Sequence, residues 1–291
     1  MSTLWQNIHY KMLRSGNRLN LLIGINIIVF LAVNIPAVFE YLFTGSGHIS
    51  LVGILAQKYI DLTANLHELP YRFWTPVTYM FMHADIFHIF FNMLWLYWMG
   101  QIFEEYLGNK RTIGLYILGG LSGAFFYVAA FNLLPAFTSI NAAEGSTIVG
   151  ASASVMAIMV ATATLLPNFT ISLIFIGPVK LKWLIIVTLI IDFLLIVRSN
   201  PGGEIAHLGG ALMGFVYIKQ LQKGHDWIGG ITKLFKPKSK LKVVSNNMGK
   251  NASDYPRQEE VDRILDKISQ SGYNSLSKQE REILSRASKQ E

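Results

Sequence analysis

The sequence contains no cysteine and has few charged residues. Of its 291 residues, 15% are charged and 52% are hydrophobic, and the mean hydropathy is +0.37. Because an ordinary soluble domain carries about 25% charged residues, this composition excludes a typical soluble globular protein. The absence of cysteine excludes disulfide bonds, a thiol nucleophile and a metal site built from thiolates. No internal repeat with a period of about 20–50 residues is evident, so nothing indicates a solenoid.

Long apolar runs account for the low charge. Six runs are long enough to cross a hydrocarbon core about 30 Å thick; they cover residues 19–43, 74–100, 112–134, 147–166, 181–197 and 204–221. This pattern predicts an all-α, polytopic membrane protein. We expect residues 19–221 to form one membrane domain of six transmembrane helices.

Basic residues are distributed unequally between the loops that join these runs. Seven lysines lie between positions 219 and 242, at the end of the sixth run and after it, whereas the loops 132–147 and 198–204 together contain one basic residue, Arg198. The positive-inside rule then predicts that both termini are cytoplasmic. We expect an integral protein of a bacterial cell membrane. The lysine-rich stretch is explained by contact with the anionic lipid bilayer, so no nucleic-acid partner is predicted.

Three segments outside the membrane domain have patterns of their own. Residues 1–18 carry apolar side chains at helical spacing and are predicted to lie in the membrane interface. Residues 222–256 are predicted to be a basic cytoplasmic linker. In residues 257–291, apolar residues recur every three or four positions, and Ser277 with Glu280 forms a capping-box pattern. This last segment is predicted to be a cytoplasmic helical hairpin with a docking or regulatory role.

Polar residues interrupt three of the apolar runs. Ser152 follows a Gly-Ala pair, His207 precedes two nearby glycines, and His88 and Asn92 are four positions apart, hence on one helix face. Polar groups within a membrane are costly unless they have partners, and they indicate a functional site by default. Serine and histidine are also sufficient for nucleophilic acyl transfer, in which the imidazole activates the hydroxyl.

The polar residues are also predicted to lie at one depth. At about 1.5 Å per helical residue, Ser152 is roughly 21 Å from the cytoplasmic end of its run, and His207 and Asn92 are each roughly 18 Å from theirs. In a core about 30 Å thick, all three lie about 10 Å below the outer surface. Equal depth does not establish contact. However, Gly210 and Gly214 form a small-xxx-small surface that would let the His207 helix approach a neighbour closely.

Each polar residue has an ordinary structural explanation as well, because serine, histidine and asparagine all bond helices together in membranes. Asp192, the one carboxylate well inside a run, is predicted to be hydrogen-bonded within the bundle rather than catalytic. A transporter is disfavoured because the two halves of the chain show no symmetry. An intramembrane metalloprotease would need His-Glu-x-x-His, which is absent. No metal ion or other cofactor is predicted.

Several motifs occur together over about residues 70–220; they are Trp74, His83-Ala84 with His88 and Asn92, Glu104 with Leu107-Gly108, Gly150-Ala151-Ser152, and Ala206-His207 with Gly210 and Gly214. In these motifs, their order and their spacing, the chain resembles the rhomboid intramembrane serine proteases. The resemblance implies a six-helix bundle that cleaves single-span or polytopic membrane proteins near the outer face of the membrane.

The resemblance also implies roles for particular residues. Ser152 would be the nucleophile and His207 the base, as a dyad without a third carboxylate. His88, Asn92 and the backbone amide of Ser152 would donate to the oxyanion, and the site would be supported by Gly150, Gly210, Gly214 and His83. Asp85 is predicted to cap the helix that contains His88, which places His83 in the preceding loop.

Three positions depart from the family pattern. Ala153 replaces the glycine that follows the serine, Met156 stands where some members have tyrosine, and Trp74 is followed by Thr75 rather than arginine. The methyl group of Ala153 can crowd the substrate backbone or the oxyanion pocket. The alternative function is therefore that of a catalytically inactive rhomboid-like protein that binds transmembrane helices, although such proteins usually lack the serine or the histidine.

Overall fold

The computed structural model describes residues 18–45, 50–173, 176–198, 200–229 and 258–288. The chain divides into two compact units, Met1–Lys236 and Pro237–Glu291, and each is described by itself. The predicted interfacial segment 1–18, apart from Arg18, lies outside the described residues. So does the predicted linker 222–256 beyond residue 229.

The first unit is a bundle of helices. Its helices are α1 (Arg18–Thr44), α2 (Leu51–Tyr59), α3 (Thr75–Thr78), α4 (Ile86–Leu107), α5 (Asn109–Leu133), α6 (Pro135–Thr138), α7 (Ser152–Leu165), α8 (Leu181–Leu195) and α9 (Pro201–Gln222). Among the described residues, α1, α4 and α5 are long and apolar enough to cross a membrane, and α7 is a shorter apolar helix. The prediction of a helical membrane bundle is confirmed at this level.

Helix α7 lies at the centre of the bundle. Eleven consecutive residues, from Ala153 to Ala163, are buried, and the helix packs against α9, α5 and α4. A helix that is buried on every side needs apolar or small residues around its whole circumference, which explains why this sequence has no polar face. Its first residue, Ser152, is half-buried and stands at the end of this firmly packed helix.

Close packing of α7 against α9 depends on two glycines of α9. Gly210 contacts the backbone carbonyl of Ala153, and one turn later Gly214 contacts that of Ala157; a Cβ atom at either glycine would overlap these carbonyls. Small residues four positions apart let two membrane helices approach to backbone contact. The two helices that carry Ser152 and His207 are therefore in direct backbone contact where they cross.

Two of the predicted runs begin too early. The second run, predicted from residue 74, starts with α3 and the 3₁₀ turn Tyr79–Phe81. Helix α4 begins only at Ile86, where Asp85 accepts hydrogen bonds from the amides of Phe87 and His88 at 2.9 Å. The predicted cap is thus confirmed, and His83 precedes the helix. Apolar composition predicted the wrong first residue for this helix, because the segment before the cap is itself apolar.

The fourth run, predicted from residue 147, begins with a strand. Strand β1 (Leu62–Thr63) pairs antiparallel with β2 (Thr147–Ile148), and α7 starts five residues after the beginning of β2. The loop before α3 is tied to the bundle by two further hydrogen bonds of 2.8 Å, from Trp74 Nε1 to the Tyr59 carbonyl and from Asn132 to the Ala64 carbonyl. The segment that leads into Ser152 is thereby fixed.

A second ladder joins β3 (Thr170–Leu173) and β4 (Gly177–Lys180) between α7 and α8. These strands have four residues or fewer and lie in connections between helices. The expectation of an all-α protein therefore describes the bundle but omits these ladders.

The second unit contains α10 (Gln258–Ser271) and α11 (Lys278–Ala287), which contact each other. The predicted capping box is present, with Ser277 and Glu280 bonding reciprocally. Lys267 of α10 donates to Glu280 at 2.8 Å. This bond, together with those from Ser277, lowers the pKa of Glu280 to about 2.

Candidate active site

Four residues singled out from the sequence line one cavity. It has a volume of about 670 Å³ and lies between α4, α7, α8 and α9. His88 and Asn92 of α4, Ser152 of α7 and His207 of α9 all contribute to its wall. Apolar side chains complete much of the lining, among them Phe87, Phe91, Trp95, Val155, Met156 and Met159.

Gly150 determines how the chain enters α7 beside this cavity. Its φ of +135° lies in the region that favours glycine, and its amide donates to the Tyr79 carbonyl at 3.0 Å. A Cβ atom at this position would lie 2.8 Å from His88 Nε2 and 3.4 Å from Ser152 Oγ. The absence of a side chain at Gly150 therefore lets the imidazole of His88 approach the hydroxyl of Ser152.

Ser152 is the first residue of α7, and Ala151, the N-cap residue, makes no side-chain cap. The first amides of a helix have no partner within the helix, and they give this end a partial positive charge. A negative charge that develops near Ser152 would therefore meet backbone donors.

His88 is oriented by its own loop. Its Nδ1 accepts a long hydrogen bond of 3.4 Å from the Ala84 amide. A neutral imidazole whose Nδ1 accepts carries its proton on Nε2, and Nε2 is the atom beside Gly150. His83 does not line the cavity; it is fully buried, and its ring meets that of His88 edge-on with centroids 5.1 Å apart. His83 therefore packs against the ring of His88 from outside the cavity.

Asn92 lies one helical turn after His88. Its Nδ2 donates to the His88 carbonyl at 2.9 Å, and the residue is 7% exposed. A side-chain amide has two N–H donors. One of them is bonded within α4, so the other remains for a group in the cavity.

His207 has two carboxylate neighbours. Its Nδ1 lies 3.2 Å from Asp192 Oδ2 on α8 and 3.4 Å from Glu204 Oε2, which is one turn earlier on α9. The prediction that Asp192 is hydrogen-bonded within the bundle is confirmed, and its partner is His207. The family resemblance implied no carboxylate beside this histidine, and the structure differs on that point. The sequence did carry a signal for Glu204, because residues three apart on a helix face each other.

The same three side chains are a possible set of metal ligands. One donor atom of each, from Asp192, Glu204 and His207, lies within 4.8 Å of the others. Histidine and carboxylates are donors that zinc accepts. In this arrangement Nδ1 of His207 lies 3.2 Å from Asp192 Oδ2 and 3.4 Å from Glu204 Oε2, and Glu204 Oε2 has no hydrogen-bond partner among the described residues.

The departures from the family pattern have different consequences. Ala153 does not line the cavity; its methyl group packs toward α5, where a Cβ atom at Gly123 would lie 2.6 Å from it. The crowding that this methyl group could cause is therefore not observed in the cavity, because the side chain packs against α5. Met156 does line the cavity, and it is 5% exposed.

Comparison with known proteins identifies the family. The Rhomboid domain family model matches residues 70–223, which is more than half of the chain; the chain belongs to the rhomboid family. Residues 251–290 match a family of unknown function, DUF6576.

Curated relatives agree with this assignment. The chain is 33% identical over 163 residues to "RHOMBOID-like protein 12, mitochondrial" of Arabidopsis thaliana, covering 53% of this chain and 48% of that protein. It is 32% identical over 57 residues to the Rhomboid protease GlpG of Salmonella newport (strain SL254), covering 20% of this chain and 21% of that protein. The chain thus spans about half, or less, of the length of these relatives.

Proposed function

We propose that this protein is an intramembrane serine endopeptidase that uses Ser152 as nucleophile and His207 as base. The observation that carries the proposal is the shared cavity: a hydroxyl at a helix N-terminus, an imidazole and two side-chain donors line one space. Membership of the rhomboid family supports the same reaction. With Ala153 turned away from the cavity, no observation favours an inactive, helix-binding protein over an enzyme.

The proposed reaction begins with proton transfer from Ser152 Oγ to His207 Nε2. The oxygen attacks the scissile carbonyl, and the carbonyl oxygen becomes an oxyanion that accepts from His88 Nε2, the free Asn92 amide hydrogen and the Ser152 backbone amide. When the tetrahedral intermediate collapses, His207 returns the proton to the leaving amine. Water then hydrolyses the acyl-enzyme by the same proton transfers in reverse order.

The substrates in this proposal are single-span or polytopic membrane proteins that reach the cavity from the lipid bilayer. The aromatic residues that α4 contributes to the cavity wall, Phe87, Phe91 and Trp95, suit an apolar peptide that unwinds before cleavage. We also propose that the six helices α1, α4, α5, α7, α8 and α9 cross the membrane. The lysine distribution supports cytoplasmic termini, and cleavage would then occur near the outer face.

Location and domain roles are also part of the proposal. The Salmonella relatives support a bacterial cell membrane, whereas the Arabidopsis relative is named as a mitochondrial protein. Fractionation of the source cells distinguishes these membranes.

Residues 1–18 are proposed to lie at the interface, residues 19–221 to form the catalytic domain, and residues 222–256 to link it to a docking or regulatory segment, 257–291.

The test is cleavage of a single-span substrate by the protein reconstituted in liposomes. Ser152→Ala removes only the Oγ atom and should leave no cleavage above background. Ser154→Ala is a matched control on the same helix: Ser154 is fully buried, does not line the cavity, and its Oγ has no hydrogen-bond partner among the described residues. This control should cleave at the wild-type rate. Cleavage by folded Ser152→Ala protein at the wild-type rate would refute the proposal.

A further inference from the structure

We propose that Asp192 is a positioning residue for His207, and that Glu204 supports it as a second carboxylate. The inference rests on the proposed function, because it concerns the base of that reaction. It adds a carboxylate partner to what the family resemblance describes as a dyad.

The first argument is the cost of placing Asp192 where it lies. Helix α8 is strongly apolar, and its buried residues are Leu181, Ile185 and Asp192. Ile185 and Asp192 are seven positions apart, so both occupy the face that packs into the bundle. A buried carboxylate is strongly unfavourable unless it is paired or hydrogen-bonded. Among the described residues, Asp192 has a hydrogen bond to His207 Nδ1, at 3.2 Å.

The second argument is which ring nitrogen remains for catalysis. An ionised carboxylate can only accept a hydrogen bond, so the contact with Asp192 requires the proton of neutral His207 to be on Nδ1. The lone pair is then on Nε2, which is the atom the proposed base uses toward Ser152. Loss of the carboxylate would free the ring to adopt the other tautomer, in which Nε2 carries a proton and cannot act as a base.

The third argument concerns charge during the reaction. When Ser152 Oγ gives its proton to Nε2, the ring becomes an imidazolium that keeps its Nδ1 proton. The two carboxylates then face a positive charge at 3.2 and 3.4 Å, and opposite charges attract most strongly in a low-dielectric site. Because Nδ1 has one hydrogen, it donates to the nearer Asp192, while Glu204 contributes charge. Asp192 should therefore matter more than Glu204.

The test measures kcat, KM and the rate of covalent labelling by a fluorophosphonate probe for reconstituted Asp192→Asn, Asp192→Glu and Glu204→Gln. Asp192→Asn should lower kcat and the labelling rate together by about 10²-fold, less than the roughly 10⁴-fold effect of the equivalent change in a soluble serine protease, because Glu204 remains. KM should not change. Glu204→Gln should lose less than about tenfold, and Asp192→Glu should recover part of the rate.

The matched control is Asp226→Asn, the same chemical change outside the cavity, at the other end of α9. It should leave kcat and the labelling rate unchanged. Histidine ¹⁵N chemical shifts of the wild-type protein give a measurement that needs no variant: His207, assigned by its loss in His207→Ala, should carry its proton on Nδ1. A proton on Nε2, or Asp192→Asn protein with wild-type kcat, would overturn the positioning role alone. A folded wild-type protein that neither cleaves nor reacts with the probe would overturn the proposed function with it.

Discussion

Near each end of α9, a side chain of the helix contacts a carboxylate. The two contacts differ in whether a polar atom of that side chain is left without a partner in the protein. Near its start, His207 meets Asp192 and Glu204, and the ring lines an open cavity. Near its end, Tyr217 meets Asp226, which lies just beyond the helix. The first contact leaves a ring nitrogen for other chemistry, whereas the second uses its polar atoms within the protein.

The contact at the end of α9 is a closed network. Arg111 of α5 donates to Asp226 Oδ2 from two nitrogens, at 2.7 and 3.2 Å, and to the Leu107 carbonyl at 2.8 Å. Asp226 Oδ1 accepts from Tyr217 and from the Gly229 amide. Burial alone would raise the pKa of Asp226, but the bonds from Arg111 and Gly229 outweigh it and hold the pKa below its ordinary value. A fully satisfied network of this kind stabilises a structure, whereas the ring of His207 lines a cavity that a substrate could enter in the proposed reaction.

The largest expected effect is that of His207→Ala, which removes the proposed base from the cavity wall. Serine and histidine act as one unit, so either loss costs nearly the whole rate, on the order of 10⁶-fold in a soluble serine protease. We expect cleavage at background. Tyr217→Phe, at the other end of α9, removes one hydroxyl from the closed network and should keep the wild-type kcat. Equal losses in both variants would show that the two ends do not differ in function.

Asn92→Ala tests the donors that face the cavity. If its free amide hydrogen binds the oxyanion, kcat should fall by about 10²–10³-fold, the usual cost of one such donor. The thermal midpoint should change little, because the hydrogen bond that Asn92 makes among the described residues lies within α4. A fall in stability that parallels the fall in cleavage would instead assign Asn92 to packing. A stable and fully active variant would remove it from the site.

Asp226→Asn, which alters the closed network, should lower the stability of the protein without lowering kcat. Hydrogen bonds to a charged group contribute about 1.5–3 kcal/mol, so the thermal midpoint of the purified protein should fall by a few degrees while kcat stays constant. Glu282→Gln, an exposed change in the second unit, is the control for stability. A loss of kcat in Asp226→Asn without a loss of stability would contradict the structural role of this end.

The smallest expected effect is the pH dependence of the difference in thermal midpoint between the wild type and Asp226→Asn. Because the folded protein holds the pKa of Asp226 below its ordinary value of 3.8, the group stabilises the fold above pH about 4 and ceases to do so as the pH falls through the lowered value. The gap in thermal midpoint between wild type and Asp226→Asn should therefore be constant near neutral pH and should narrow below pH about 4. A gap that widens on acidification would contradict the sign of this shift.

The sequence was sufficient to predict which polar residues line the cavity, but not how α8 is rotated. Ser152, His207 and Asn92 were expected at one depth because helical rise is constant, and all three line the cavity. The partner of Asp192 was not predictable, because a helix that is apolar nearly all round does not indicate which face it buries. The starts of α4 and α7 were misplaced for a related reason: apolar composition does not distinguish a buried loop from a helix.

The direction of the Ala153 side chain was equally hidden from the sequence. Whether a methyl group points into a cavity or toward a neighbouring helix depends on where the helix begins and what crosses it. Here α7 begins at Ser152, and Gly123 of α5 accommodates the methyl group of the next residue. The effect of a residue that departs from a family motif can be stated only when the contacts of its side chain are known.

The most direct measurement of the central claim is the site of covalent modification by a fluorophosphonate probe. The purified wild-type protein, treated with the probe in detergent and analysed by peptide mass spectrometry, should carry one adduct on Ser152. The adduct should be absent from His207→Ala and present at the wild-type level in Ser154→Ala. An adduct on another serine, or a folded protein that cleaves substrate while Ser152 stays unmodified, would contradict the assignment of the nucleophile.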